Sequence, residues 1–245
     1  MNTQPLWCAW IRARAGGACA GLAMLIALAG CSALKPTPVT PPTVYTLDGL
    51  RTEASPPQRV RPAASPSPAA PTTPTLLLST PQPAAGLDSP HMLYVRQTHR
   101  LAYFAQSEWA DTPARLLAPL MVAALDRAGL FRAVVSTPTA VKADLRLDTE
   151  VVRLQHHFDT SPSQVRLTLR ATLSDNNTRQ LLAQIELDQR VDAASEDAPG
   201  GVVAANLATQ QMLDALAAFC GPAVESWRVS TAAAAGPAAA IRPAR

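Results

Sequence analysis

Lysine is almost missing from this sequence: it stands only at Lys35 and Lys142, and the other basic residues are scattered arginines. Nucleic-acid binding needs basic side chains gathered on one face to neutralise phosphates. No stretch gathers them, so nucleic acid is excluded as a partner. Apolar runs are short as well. The longest, Ala18–Ala29, falls below the roughly 20 residues that a bilayer span requires. Catalytic signatures are absent: there is no G-x-S-x-G elbow, phosphate-binding loop, H-E-x-x-H or C-x-x-C. His156 and His157 are neighbours on an expected strand, so they point to opposite faces and cannot share one ion. They read as surface polarity, as do His91 and His99. Asp148 and Glu150 share a strand face, but Arg146, Arg166 and Arg170 nearby make that face a solvated ion-pair surface. No enzyme, metal or cofactor is expected.

The first 31 residues have an order of their own. No acidic residue precedes Cys31, Arg12 and Arg14 supply a small positive region, and the apolar run from Ala18 to Ala29 follows. This is the layout of a secretory signal peptide. Its end, Leu28-Ala29-Gly30-Cys31, resembles a bacterial lipobox. That resemblance implies cleavage before Cys31 and acylation of Cys31, which becomes the new N-terminus. Two or more acyl chains hold a protein stably on a membrane, at ~0.8 kcal/mol per buried methylene. Ser32, where an aspartate would signal inner-membrane retention, implies export to the outer membrane. Loss of residues 1–30 lowers the net charge from +3 to about +1. It also removes Cys8 and Cys19, and with Cys31 carrying lipid, Cys220 has no disulfide partner. Cys220 is expected to be buried packing.

Residues 31–74 are rich in Pro, Ala, Ser and Thr and read as a semi-rigid tether. Val44–Leu47 interrupts it as an edge strand, and 51–74 is an expected disordered insertion. Thr75–Leu78 reads as a buried strand, Gly86–Pro90 as a turn, and Met92–Arg96 and Leu101–Phe104 as two strands joined by a polar bend. Thr112 and Pro113 suit an N-cap and a first helical position. Leu116, Leu117, Leu120, Met121, Ala124, Leu125 and Ala128 repeat at helical spacing, Pro119 is expected to kink the helix, and Gly129 can close it. Phe131–Val135 reads as a strand.

Three further segments alternate apolar and polar residues with period two: Leu145–Val151, Val165–Leu173 and Ile185–Val191. Such a pattern means a sheet buried on one side and wet on the other. With Ser174–Thr178 as a turn, an antiparallel meander is expected. A second helix is expected to run to about Cys220, with Val203, Leu207, Leu213, Leu216, Ala217 and Cys220 as its buried stripe. The domain is placed at 75–227 and a disordered Ala- and Pro-rich tail at 228–245. Together these elements predict an α+β two-layer sandwich: a mixed or antiparallel sheet with two helices packed on one face.

The stretch Met92-Leu93-Tyr94-Val95-Arg96, Leu101-Ala102-Tyr103-Phe104-Ala105 and Trp109-Ala110-Asp111-Thr112-Pro113-Ala114-Arg115-Leu116-Leu117-Ala118-Pro119-Leu120 carries a resemblance. With Ala124-Leu125, Gly129-Leu130-Phe131 and Val134-Val135, it resembles the ABC-type transport auxiliary lipoproteins, among them the PqiC-like partners of MCE-type lipid transporters. Tyr45-Thr46-Leu47 corresponds to their early strand, and the similarity runs from about residue 44 to 227. The insertion 51–74 and the Ala-rich tail depart from the family pattern. The resemblance implies a non-enzymatic outer-membrane lipoprotein, with no cofactor beyond the lipid on Cys31. It would dock an MCE-domain periplasmic protein linked to an inner-membrane permease and ATPase. Candidate docking residues are Trp109, in the 97–112 loop, and Arg166 and Arg170 on the exposed sheet face. Two other readings stay open, an assembly lipoprotein of another envelope machine and a lipid-carrying module, and so does homo-oligomerisation.

Overall fold

The sheet is built along β7, Leu145–His157. The computed structural model describes residues 40–48 and 73–235, and every element below lies in the unit Pro42–Arg245. On one edge β7 pairs antiparallel with β8, Gln164–Asp175, which pairs antiparallel with β9, Leu181–Asp192. This is the expected meander. On its other edge β7 receives three short strands in succession, all parallel: β2 (Thr75–Leu78), β3 (Gln82–Pro83) and β4 (His91–Gln97). Outside β2 lies β6, Ala133–Ser136, also parallel. Outside β4, β5 (Arg100–Trp109) returns antiparallel and takes β1 (Thr43–Tyr45) as a parallel edge strand. The sheet is therefore mixed.

Alternation decides which face is dry. Leu145, Leu147, Thr149 and Val151 of β7 and Val165, Leu167, Leu169, Ala171 and Leu173 of β8 are all nearly or fully buried. Truncating a leucine at such a site to alanine costs about 2–5 kcal/mol. Two helices cover this face, α1 (Pro113–Arg127) and α2 (Ala198–Ala235). Leu117, Met121 and Leu125 of α1 and Ala204, Ala208, Met212 and Leu216 of α2 join the strand residues in one hydrophobic cluster. The expected two-layer α+β sandwich is what forms.

Local chemistry fixes the ends of α1. Pro113 occupies its first turn, where a missing N–H costs nothing, and Gly129 follows it at φ 68°. Thr112 stands at the N-cap, but its hydroxyl makes no capping bond; its own N–H donates to Asp111 Oδ1 at 2.7 Å. The helix continues through Pro119 as one element. Phe131 precedes β6 instead of starting it, and is buried at 3% exposure.

The larger corrections fall on α2. It does not stop near Cys220 but runs to Ala235, so residues 228–235 are helical where a disordered tail was expected. Gly221 and Pro222 look like a stop signal in the sequence, yet the helix passes through both. Beyond them lie Trp227, which is buried, and an alanine run of the highest helix propensity. Of its expected buried stripe, Leu213, Leu216 and Cys220 are buried and Leu207 and Ala217 half-buried, but Val203 is 57% exposed, and Ala204, Ala205, Ala208 and Met212 join the buried side. Asn206 ties the chain after β1 to this helix, accepting from the Asp48 N–H at 2.8 Å and donating to the Thr46 carbonyl at 3.3 Å. The signal peptide, Cys31, nearly all of the expected insertion and the last ten residues lie outside the described residues.

Candidate docking surface

The face of the meander turned away from the helices is a ladder of ion pairs. Directly opposite one another across β8 and β9 stand Arg170 and Glu186, Thr168 and Asp188, and Arg166 and Arg190. Arg170 donates to Glu150 Oε2 at 2.6 Å and to Glu186 Oε2 at 3.0 Å. Arg146 grips Asp148 with its Nε 3.0 Å from each carboxylate oxygen. Both carboxylates that could have formed an acid–base pair, Asp148 and Glu150, are thus held by arginines.

Asp188 is the centre of the ladder, and alternation alone did not single it out. It accepts from Arg166 Nε at 2.7 Å, Thr168 Oγ1 at 2.7 Å and Arg190 Nε at 3.1 Å. Burial raises the pKa of its carboxyl, but these donors outweigh it and bring the pKa down to about 2. Thr168 lies on this outer face yet is only 1% exposed, closed in by Arg153, whose Nη1 lies 3.3 Å from its hydroxyl. The guanidinium groups of Arg146, Arg166, Arg170 and Arg190 are held in place by these carboxylates, and each planar guanidinium carries several donors. Arg166 and Arg170, singled out from the sequence, both belong to this face.

Trp109 does not. It is 5% exposed, inside the core, and its backbone N–H donates to the Pro90 carbonyl at 2.8 Å. The expectation that it contacts a partner is corrected: it anchors the end of β5. Cys220 is fully buried, and burial pushes its thiol pKa up to about 12.

The histidines divide. His99 is exposed in the β4–β5 turn at φ 66°. His91 is half-buried, stacked on Tyr103 at 4.7 Å with Nδ1 3.5 Å from Glu108 Oε1. His156 overturns the surface reading, being only 4% exposed. A bulge between Val151 and Arg153 inverts the alternation of β7, so Leu154 and His156, not the odd-numbered residues, face the core. Its Nε2 lies 3.0 Å from Ser163 Oγ, its ring packs 4.1 Å from that of Phe158, and its Nδ1 has no hydrogen-bond partner. Burial pushes its pKa down to about 4; Asp197 opposes this, while His157 and Arg96 add to it. Gly201 of α2 lies so close that a Cβ there would stand 2.6 Å from Nδ1. Met92, Phe104, Trp109, Leu154, His156 and Gly201 line a cavity of about 10 Å³ at this point, room for one water.

Among the described residues no group of three or more His, Cys, Asp or Glu is placed to hold a metal ion, and no helix is long and apolar enough to cross a membrane. No curated protein matches the chain. Among solved structures, XCC0632 from Xanthomonas campestris is similar at a TM-score of 0.59 and 21% identity, over 66% of this chain and 92% of that one. An uncharacterized protein is similar at a TM-score of 0.54 and 13% identity, over 73% and 97%. At these identities the two share the fold alone. The family model that describes the ABC-type transport auxiliary lipoprotein component matches residues 58–217, so it covers α1, β2 to β9 and half of α2 as well as part of the segment expected to be an insertion, and the chain belongs to that family.

Proposed function

We propose that this protein is a non-enzymatic lipoprotein held by acyl chains on Cys31 at the periplasmic face of the outer membrane. There it serves as the docking subunit of an MCE-type ABC transport system that moves lipids or other hydrophobic solutes across the envelope. The match over 58–217 carries the reading, because that family is one of transport accessories and not of enzymes. Two features support the finer statement: the lipobox-like Leu28–Cys31 followed by Ser32, and the pre-ordered arginine face of β7, β8 and β9. A carrier role has less support, since the cavity beside His156 admits one water and no acyl chain.

The test is a tagged pull-down from crosslinked envelopes with the captured proteins identified by mass spectrometry. An MCE-domain protein recovered with its permease and ATPase is the expected result. Recovery of unrelated assembly machinery, without any MCE protein, would move the assembly-lipoprotein reading to first place. In the same envelopes Cys31→Ala is expected to leave the membrane fraction, and a variant still sedimenting with outer membranes would refute the anchor. Replacing Arg166 and Arg170 together by alanine is expected to reduce recovery of the partner at least tenfold while the domain stays folded. Such exposed ion pairs contribute little to stability, on the order of 0–1 kcal/mol each. Unchanged recovery would remove this face from the docking surface.

A further inference from the structure

β9 offers a long, bare sheet edge. It pairs with β8 and with no other described strand. Its sequence, Leu181–Asp192, has neither proline nor lysine, two residues by which proteins blunt such edges, and its charges, Glu186, Asp188, Arg190 and Asp192, are of both signs and so can pair across a twofold. The direction of its backbone groups can be read from its end, where the Ala193 N–H bonds the Ser163 carbonyl at 2.7 Å. Following the antiparallel register back from that pair, the odd-numbered residues of β9 exchange hydrogen bonds with β8. The even-numbered ones, Gln184, Glu186, Asp188, Arg190 and Asp192, turn their N–H and C=O groups to the open side. On the core face Ile185, Leu187 and Val191 are only half-buried, with no described strand beyond them.

We propose that this edge binds a second copy of the same chain, β9 against β9, antiparallel about a twofold axis through Asp188. In this register Gln184 faces Asp192, Glu186 faces Arg190 and Asp188 faces itself, so every backbone group turned outward from 184 to 192 finds a partner. Ile185 comes to face Val191, covering both. The charges select the register. Within one chain Arg190 stands opposite Arg166 and shares Asp188 with it, so it lacks a carboxylate of its own. The twofold supplies Glu186 of the second copy. Shifting by one pairing step in either direction would set Glu186 against Asp188 or Asp192 instead. The two Asp188 carboxylates meet at the axis with Arg166 and Arg190 of each chain around them, which offsets their repulsion. Even residues face even residues, so the helices of both copies lie on the same side of one continuous sheet.

The experiment uses the full lipidated chain in detergent. Gln184→Pro removes an N–H that makes no bond to β8, leaving the β8–β9 ladder whole while blocking the open edge. It is expected to convert a dimer, seen by light scattering, to a monomer with an unchanged circular dichroism spectrum. Asp188→Cys places two thiols face to face, with Cα atoms about 5.5 Å apart in such a pair, a spacing a disulfide spans. It is expected to give a covalent dimer under mild oxidation, whereas Asp192→Cys, which faces Gln184, is not. A monomeric wild-type chain overturns the proposal. So does an unlinked Asp188→Cys alongside a Gln184→Pro variant of wild-type oligomeric state, or crosslinking of Asp188→Cys to a different envelope protein.

Discussion

Replacing Trp227 by alanine is expected to destabilise the domain by about 3–5 kcal/mol, the range for deleting a buried large aromatic. Trp227 is 7% exposed, and its Nε1 donates to Asp175 Oδ2 at 2.7 Å. Asp175 also organises the β8–β9 turn, accepting from the N–H groups of Asn177 and Thr178 at 2.9 and 2.7 Å. Burial raises the pKa of its carboxyl, but the bonds from Thr178, Trp227 and Asn177 together hold it below the usual range. One indole thus joins the far end of α2 to the turn that sets the meander register. Trp227→Phe separates the two contributions: it keeps most of the packing, loses the hydrogen bond, and is expected to cost about 1 kcal/mol. Urea unfolding measures both. The alanine variant should lower the midpoint and also reduce helical ellipticity, because α2 beyond Cys220 has few other buried contacts, Val224 chief among them. A cost below about 1 kcal/mol for Trp227→Ala would mean that this half of α2 is not anchored to the sheet.

The elements whose signal is a period were legible; those set by partners distant in sequence were not. β7, β8 and β9 announce themselves because one face is apolar and the other charged, and the Asn- and Asp-rich turn between β8 and β9 follows from its residues. That β2, β3 and β4 line up along one edge of β7 depends on parallel crossovers, which leave no local trace. The second half of the α2 stripe is legible in Leu213, Leu216 and Cys220, but its first turns are not, because there alanines take the buried positions. Ala204, Ala205 and Ala208 face the sheet because their small size permits close approach, whereas Val203 points to solvent. The sequence sets Trp109 in a 97–112 loop, although its place just before a helix suits a core anchor, because β5 extends five residues beyond its apolar start at Leu101–Phe104. Arg166 and Arg170 were recognisable as members of a charged face, but Asp188 as its centre required the pairing of β8 with β9. The inversion that buries His156 comes from a single extra residue in β7, and strict alternation has no means of marking it.

That buried histidine makes a second large effect, in pH. Unfolded, His156 takes a proton near pH 6.5; folded, it resists until about pH 4. Between those values the unfolded chain binds the extra proton, so stability falls as pH falls, by up to ~1.4 kcal/mol per unit and about 3 kcal/mol in all. The carboxylates act lower. Asp188, held at about 2, contributes stability that is present above pH 3.8 and lost below it, which leaves the window from 6.5 to 4 to His156. Urea midpoints measured across that window are expected to slope steeply for the wild-type chain and to be nearly flat for His156→Gln. Ser163→Ala, which removes the Nε2 partner but not the burial, should retain the slope. A wild-type slope no steeper than that of His156→Gln would show that the ring is not held neutral in the folded state. The charge would fall at one place. A charged imidazole would press Nδ1 against Gly201 in the first turn of α2, where the positive end of the helix dipole repels it and only Asp197 attracts it. Acid is therefore expected to loosen the start of α2 from β7 and β8 before the leucine core opens, and amide exchange in residues 198–206 should rise first.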